Sequence, residues 1–351
     1  MSVLSSQHVM KILVVRNDKL GDFMLAWPSF QALKLAFPDS RLVALVPNYT
    51  RPIAELCPWI DETLIDPTEA AGKEGFNRLL KQVKAQKFDL MLTLFSTTRI
   101  GWLGLRAGIP LRWAPATKLA QVFYNRRLKQ KRSQSKQPEY AYNLDLVQAA
   151  IEGCGERYVV PQGPYLSVDP GLLAELRQVF LAQHKLKPET RLIFIHSGHG
   201  GSANNLSLAQ YAELAAKVAR PDSCFVLTAG PGELEATQEL AALLDAEGVQ
   251  LRVFSSTEGL QSFAQHLALA DLFIAGSTGT LHIAGALDRP TVGFYPNRRS
   301  STPLRWRTLN GEGRTLAFTP PADIEKDMSC VDIDAAAAGI RVFVERCWSE
   351  G

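Results

Sequence analysis

Short apolar runs alternate with stretches of helical spacing along most of this chain. The runs at 11–16 (KILVVR), 41–46, 63–65 and 90–94 each suit one buried strand. Between and after them, 23–37, 50–56, 76–86 and 140–151 place apolar residues three and four apart, which predicts helices. The first is interrupted at Trp27-Pro28, so a kink or an early-turn proline is expected there. The second half repeats the design. Strands are predicted at 192–196, 224–228, 251–254, 272–275 and 291–295, and helices at 172–184, 208–219, 235–244, 260–269, 280–287 and 335–347. Strands alternating with helices imply parallel sheets covered on both faces. The Pro- and Gly-containing stretch 158–170 reads as an interdomain linker, and regularity fails over 112–138. The expected fold class is α/β, with two doubly wound domains at 1–160 and 171–330 facing a deep cleft. A final helix lies within 331–351.

Ligands of doubly wound sheets sit beyond the carboxyl ends of the strands, so the turns there are the places to search. In the second half three such turns are small, polar and glycine-rich: Ser197-Gly198-His199-Gly200-Gly201-Ser202, Ala229-Gly230-Pro231-Gly232-Glu233, and Gly276-Ser277-Thr278-Gly279. The last joins a strand to a helix start. Unpaired N–H groups and the helix dipole make such a junction an anion site, with phosphate its common occupant. Thr280 and His282 lie in the first turn of that helix. An ordinary βα turn is the plain alternative. In the first half one turn stands out, Asn17-Asp18-Lys19-Leu20-Gly21-Asp22. A carboxylate there can take a proton from an attacking sugar hydroxyl, which is general-base catalysis. Asp22 is the candidate, Asp18 the local competitor, and helix capping the structural alternative.

Several chemistries find no motif. There is no GxGxxG after the first strand, no Walker GxxxxGK[ST] and no GxSxG elbow. Asp332-Ile333-Asp334 is a DxD, but it directly precedes the last helix, where Asp is the expected N-cap. No required metal and no cofactor is predicted. Apolar content of 46% and charged content of 21% fit a globular protein with a good core. No apolar run is long enough to span a membrane, and residues 1–9 lack the features of a signal peptide. Five scattered cysteines without CxxC spacing argue against a disulfide framework or a zinc site and point to a reducing cytoplasm. The net charge is only +3, but it is unevenly placed: 90–138 holds no Asp or Glu and ten Lys or Arg. Such a stretch suits an acidic partner or a solvated loop.

The residues RNDKLGD (16–22) with LAWPSFQALKLAFP (25–38), and GSTGTLHIAGALDRPTVGFYP (276–296), resemble the amino- and carboxyl-terminal signatures of glycosyltransferase family 9, the lipopolysaccharide heptosyltransferases. STPLRW (301–306) resembles a further element of some members. The resemblance implies a GT-B fold of two Rossmann-like domains, the first binding the acceptor and the second the nucleotide sugar. The last helix is expected to pass back over the first domain. It implies inverting, metal-independent transfer of a heptose from ADP-heptose to a lipopolysaccharide core. Asp22 matches the general base, and Arg16, with Lys19 beside it, a basic position near acceptor or sugar. Ser277, Thr278, Gly279, Thr280 and His282 match the segment holding ribose and diphosphate. Gly230 to Glu235, with Gly230 and Glu233 its candidate contacts, matches a loop near the nucleoside, and Ser197, Gly198 and His199 are candidates for the same donor site.

Partners expected on this basis are the nucleotide-sugar donor, a phosphorylated lipid-linked oligosaccharide, and the inner membrane surface through basic segment 112–136. The location expected is cytoplasmic, peripheral at the inner face of the membrane, without nucleic acid. Two departures bear on the donor. Asn204-Asn205-Leu206-Ser207 stands where members often carry Lys or Arg followed by Trp-Pro, and Ser277 stands where well-known members have Asp. Another nucleotide sugar, or a degenerate glycan- or nucleotide-binding scaffold, is therefore the alternative. A same-fold epimerase or hydrolase is a third reading, but it leaves the basic stretch without a purpose.

Overall fold

A computed structural model describes residues 9–117, 119–198, 204–255 and 258–349. The chain divides into two compact units, Met1–Arg132 with Glu139–Gln162, and Ser133–Pro138 with Gly163–Gly351. In the first unit the order is β1 (Lys11–Val15), α1 (Leu20–Met24), α2 (Trp27–Ala36), β2 (Arg41–Pro47), α3 (Arg51–Ala54), β3 (Glu62–Asp66), α4 (Gly72–Gln86), β4 (Leu90–Thr93), α5 (Thr98–Ala107), β5 (Leu111–Pro115), β6 (Arg126–Leu128) and α6 (Glu139–Gly153). The second has α7 (Pro170–Gln183), β7 (Arg191–His196), α8 (Leu208–Val218), β8 (Ser223–Ala229), α9 (Leu234–Ala246), β9 (Leu251–Ser255), α10 (Leu260–Leu267), β10 (Leu272–Gly276), α11 (Gly279–Ala286), β11 (Thr291–Phe294), β12 (Thr315–Phe318) and α12 (Ile333–Ser349).

Both sheets have six strands and the same winding. The orders are β3-β2-β1-β4-β5-β6 and β12-β11-β10-β7-β8-β9, with parallel pairing throughout. In each unit the first strand is flanked by the second strand on one side and the fourth on the other. The direction of winding reverses between β1 and β4, and between β7 and β10. A crevice opens at such a switch point because the two connections leave to opposite faces of the sheet. Apart from half-buried Lys11 at the start of β1, the central strands are buried and mostly apolar, as strands covered on both faces must be.

Local chemistry explains the breaks. The kink expected at Trp27-Pro28 is a full interruption: α1 stops at Met24 and α2 restarts with Pro28 in its first turn, where a missing N–H costs nothing. Asp22 therefore sits inside α1 and not in the turn before it. Segment 112–138, expected to be irregular, contributes β5, β6 and two 3-10 turns, at Leu119–Phe123 and Arg132–Gln134. The last helix packs its apolar face in the core of the second unit. Ile333, Ala336, Ala337, Ile340, Phe343, Val344 and Cys347 are buried there, in a cluster that includes Leu214 and Val218 of α8. Asp332 caps α12 through the Ala335 N–H at 2.9 Å, and Asp334 pairs with Lys217, so the DxD is spent on structure. Among the described residues no group of three or more His, Cys, Asp or Glu is arranged to hold a metal.

Candidate functional site

At the switch point of the first unit, β1 ends in Arg16, which is buried to 2% exposure. A buried guanidinium must have its donors filled, and four of Arg16's hydrogen bonds go to side chains. Nε donates to Asp18 Oδ1 at 2.9 Å, and Nη2 to Asp22 Oδ1 at 2.5 Å. Nη1 donates to Glu139 Oε1 at 3.0 Å and to Asn143 Oδ1 at 3.2 Å. Glu139 and Asn143 are one turn apart on α6, so one helix face meets the end of β1. Asn143 also donates to the Leu25 carbonyl at 3.1 Å, which ties α6 to the α1–α2 break. Arg132 supplies a second cation to Glu139 Oε1 at 2.7 Å. Three carboxylates thus share two arginines.

Burial sets the protonation of the cluster, and the neighbouring carboxylates add to it. Burial opposes the charge on Arg16, yet the carboxylates around it outweigh burial and raise its pKa. Burial pushes the Asp18 carboxyl up to about 6 against the pull of Arg16, and Asp22 pushes the same way. Asp22 is also raised by burial, against Arg16, with repulsion from Glu139 added. A carboxylate lifted toward neutrality is a better proton acceptor at neutral pH than an ordinary one. Arg16, read from sequence as a cation near acceptor or sugar, has its charge paired inside the protein by Asp18, Asp22 and Glu139. Lys19, the N-cap residue of α1, is exposed and is the accessible cation next to Asp22. A second ion pair braces the turn: Arg99 grips buried Asp66 with both nitrogens, at 2.5 and 3.0 Å, and Asn17 donates to the same carboxylate.

At the switch point of the second unit, the turns after β7 and β10 flank the crevice. Between β10 and α11 the N-cap is Thr278, whose backbone is extended and whose side chain makes no cap hydrogen bond. Its hydroxyl meets that of Thr280 at 2.9 Å instead. The first N–H groups of α11 are left for a ligand. His282 is buried, its Nδ1 has no hydrogen-bond partner, and burial lowers its pKa to about 4. The sequence suggested a histidine facing an anion; the structure makes it a neutral ring that offers a hydrogen bond without charge. Gly276 lacks a Cβ because Asn205 occupies that space, 2.5 Å from where one would stand. Asn205 donates to the Ser197 carbonyl at 2.8 Å and accepts from the Tyr211 hydroxyl at 2.6 Å, so it locks the ends of β7 and β10 together.

Beside these turns Glu233 folds back over the ends of β7 and β8. Its Oε2 accepts from the Gly230 N–H at 2.9 Å and lies 3.5 Å from His196 Nε2. A Cβ on Gly198 would fall 2.1 Å from the Glu233 carboxyl, so glycine there is what admits the carboxylate. His196 is buried, bonded through Nδ1 to Thr228, and has its pKa lowered by burial although Glu233 raises it. Ser197, Gly198, Gly230, Glu233, Ser277, Thr278, Gly279, Thr280 and His282 thus all lie at or next to the carboxyl ends of β7, β8 and β10. His199 lies outside the described residues. Sequence reasoning missed Glu139, Asn143, Arg132, Asp66, Arg99, Asn205 and Tyr211. One signal was available: Glu139 is the first acid after the acid-free stretch, with Asn143 one helical turn on.

Doubly wound units of this kind are those of the GT-B glycosyltransferases. Comparison with known proteins then names the family. The model for glycosyltransferase family 9 (heptosyltransferase) matches residues 76–331, and the chain belongs to that family. A Haemophilus influenzae protein that carries the provisional name glycosyltransferase is 47% identical over 96% of this chain and 98% of its own. A family 9 glycosyltransferase structure from Veillonella parvula superimposes with a TM-score of 0.79 at 18% identity, covering 96% of this chain and 97% of that one. Escherichia coli ADP-heptose lipopolysaccharide heptosyltransferase II superimposes at 0.75 with 19% identity, over 96% and 99%.

Proposed function

We propose that this glycosyltransferase moves a heptose from ADP-heptose to a lipopolysaccharide core acceptor, with inversion and without a metal. The observation that carries the proposal is the Arg16 cluster. It fixes Asp22 Oδ1, while burial lifts the carboxyl's pKa against the pull of Arg16, which leaves Oδ2 to take the proton of the acceptor hydroxyl. As that proton leaves, the hydroxyl oxygen forms the new bond to the anomeric carbon. The bond from that carbon to the diphosphate breaks on the opposite face, and the electron pair departs with ADP. The leaving diphosphate gains charge, and the uncapped start of α11 offers N–H groups and a dipole to stabilise it. Glu233 and the Gly198 and Gly230 turns suit the ribose, whose paired hydroxyls are donors to a carboxylate. The solved heptosyltransferase named above uses ADP-heptose, which supports the donor assignment. The acceptor is a phosphorylated lipid-linked oligosaccharide, and the enzyme works at the inner face of the cytoplasmic membrane.

A second reading keeps the chemistry and changes the donor. Asn204 stands where members often have a cation, and its amide is bonded to the Lys326 carbonyl at 2.9 Å. Titration of the full chain with ADP, GDP, UDP and ADP-heptose, in EDTA, separates the two. ADP and ADP-heptose binding that is lost in Thr278→Pro, with turnover lost in Asp22→Asn, is the expected result. Preference for GDP or UDP moves the donor to another nucleotide sugar. No binding to any of the four overturns the enzyme reading in favour of a scaffold.

A further inference from the structure

The outward face of α5 is apolar where a surface helix is usually polar. Ile100, Leu103 and Gly104 point into the core. On the other face Trp102 is 39% exposed and Leu105 41%. The 3-10 turn Leu119–Phe123 packs against this helix. The Phe123 ring lies 5.7 Å from that of Trp102, and a Cβ on Gly101 would stand 2.8 Å from the Phe123 Cβ. From that turn Leu119 projects at 82% exposure and Val122 at 68%. Four large apolar side chains therefore stand on two neighbouring elements. Beside them a groove of about 930 Å³ runs between α4 and α5, walled by Phe76, Leu80, Trp102 and Phe123 and edged by Lys73 and Arg106.

Cations predominate around this patch, although Glu69 also lines the groove. Not every cation of 90–138 is available: Arg99 is spent on Asp66, Arg112 on the carbonyls of Ile109 and Phe123, and Arg132 on Glu139. Arg106, Arg126, Arg127 and Lys129 are exposed, and no acid occurs anywhere in the stretch. Arg106 lies over the Trp102 ring at 5.3 Å, so a cation and an interfacial aromatic are presented together. Protruding aliphatic tips and a tryptophan, with Arg106 and Lys73 beside them, match the boundary between acyl chains and anionic headgroups.

We infer that the α5 face with the Leu119–Phe123 turn docks the enzyme on an anionic phospholipid bilayer. Leu105, Leu119, Val122 and Trp102 enter the headgroup region while Arg106, Arg126 and Arg127 bind lipid phosphates. The inference deepens the glycolipid-acceptor reading, since an acceptor anchored in a bilayer must be met at its surface. It also moves the contact from the basic segment 112–136 as a whole to the apolar face beside it.

The test is co-sedimentation of the full chain with phosphatidylcholine vesicles with and without 30% phosphatidylglycerol, for the native chain and for Leu119→Asp/Val122→Asp. Both positions are exposed, and unchanged ADP affinity and circular dichroism in the variant confirm its fold. The expected result is binding to the anionic vesicles alone, weakened at least tenfold in the variant. Absence of native binding, equal binding to neutral vesicles, or native-like binding by the variant each overturns the inference. Nucleotide titration of the same samples keeps the two readings apart. Vesicle binding without nucleotide binding sinks the heptosyltransferase reading and leaves the docking face standing; the reverse sinks the docking face alone.

Discussion

Asp18 and Asp22 are four residues apart and share one buried guanidinium, so their titrations belong to the pair. The raised pKa of Asp18 has a consequence for stability. Its folded value of about 6 lies above the ordinary 3.8, so the folded protein holds a proton that the unfolded chain releases. That contribution is present below the ordinary value and is lost as pH rises through about 6. Asp18→Asn mimics the protonated form at every pH. The expected outcome is a Tm difference, variant minus native, that is more positive at about pH 8 than at about pH 4.5. A difference that is flat or of opposite slope means the carboxyl is not raised. In turnover, a base must be deprotonated to act, so kcat/KM is expected to climb through an acid limb lying above the usual carboxylate range.

Elements explain how the residues of the proposed donor site are held. Gly198 follows β7 and its missing Cβ makes room for the Glu233 carboxyl, which is the far end of a flexible side chain. Gly198→Ala should therefore displace Glu233 at little cost to the fold. Calorimetry is expected to show ADP affinity falling about tenfold, which at about 1.4 kcal/mol is one hydrogen bond to a charged group. The Tm should change little. A variant that binds ADP normally shows that Glu233 is not part of the donor site. Elements also show where the pattern of apolar residues misleads. β5, β6 and β12 escaped notice, and all three lie at or next to a sheet edge. β6 is Arg126-Arg127-Leu128, and charge on an edge strand blocks unwanted pairing while erasing the apolar run. The outward face of α5 misleads in the opposite direction, because its exposed Trp102 and Leu105 blur the helical stripe.

At the scale of the molecule, each unit carries its own sheet and its own switch point. The second unit closes its core with α12, whose Ile340 is fully buried beside α8. Ile340→Ala is expected to cost about 2–5 kcal/mol, and Val342→Ser, at an exposed position of the same helix, within about 0.5 kcal/mol. Urea unfolding monitored by circular dichroism separates them. Equal effects at the two positions contradict the packing. Among the described residues no helix is long and apolar enough to cross a membrane.

The sequence by itself determined the alternation of strand and helix, the two-part organisation, the break at Trp27-Pro28 and the polar turns after β7, β8 and β10. These follow from local rules: side-chain periodicity, the missing proline N–H, and the flexibility of glycine and small polar residues. It also offered Asp22 as a candidate base, through its place after the first strand. Only the tertiary structure decided the rest. Arg16 has its donors filled inside the protein because Glu139 and Asn143, more than a hundred residues away, fold onto it. His282 lost its charge because its neighbours bury it. The last helix joined the second core because that is where its apolar face finds a partner. Charge state and partner choice depend on what surrounds a side chain, and in a parallel sheet those surroundings are assembled from residues far apart in the chain.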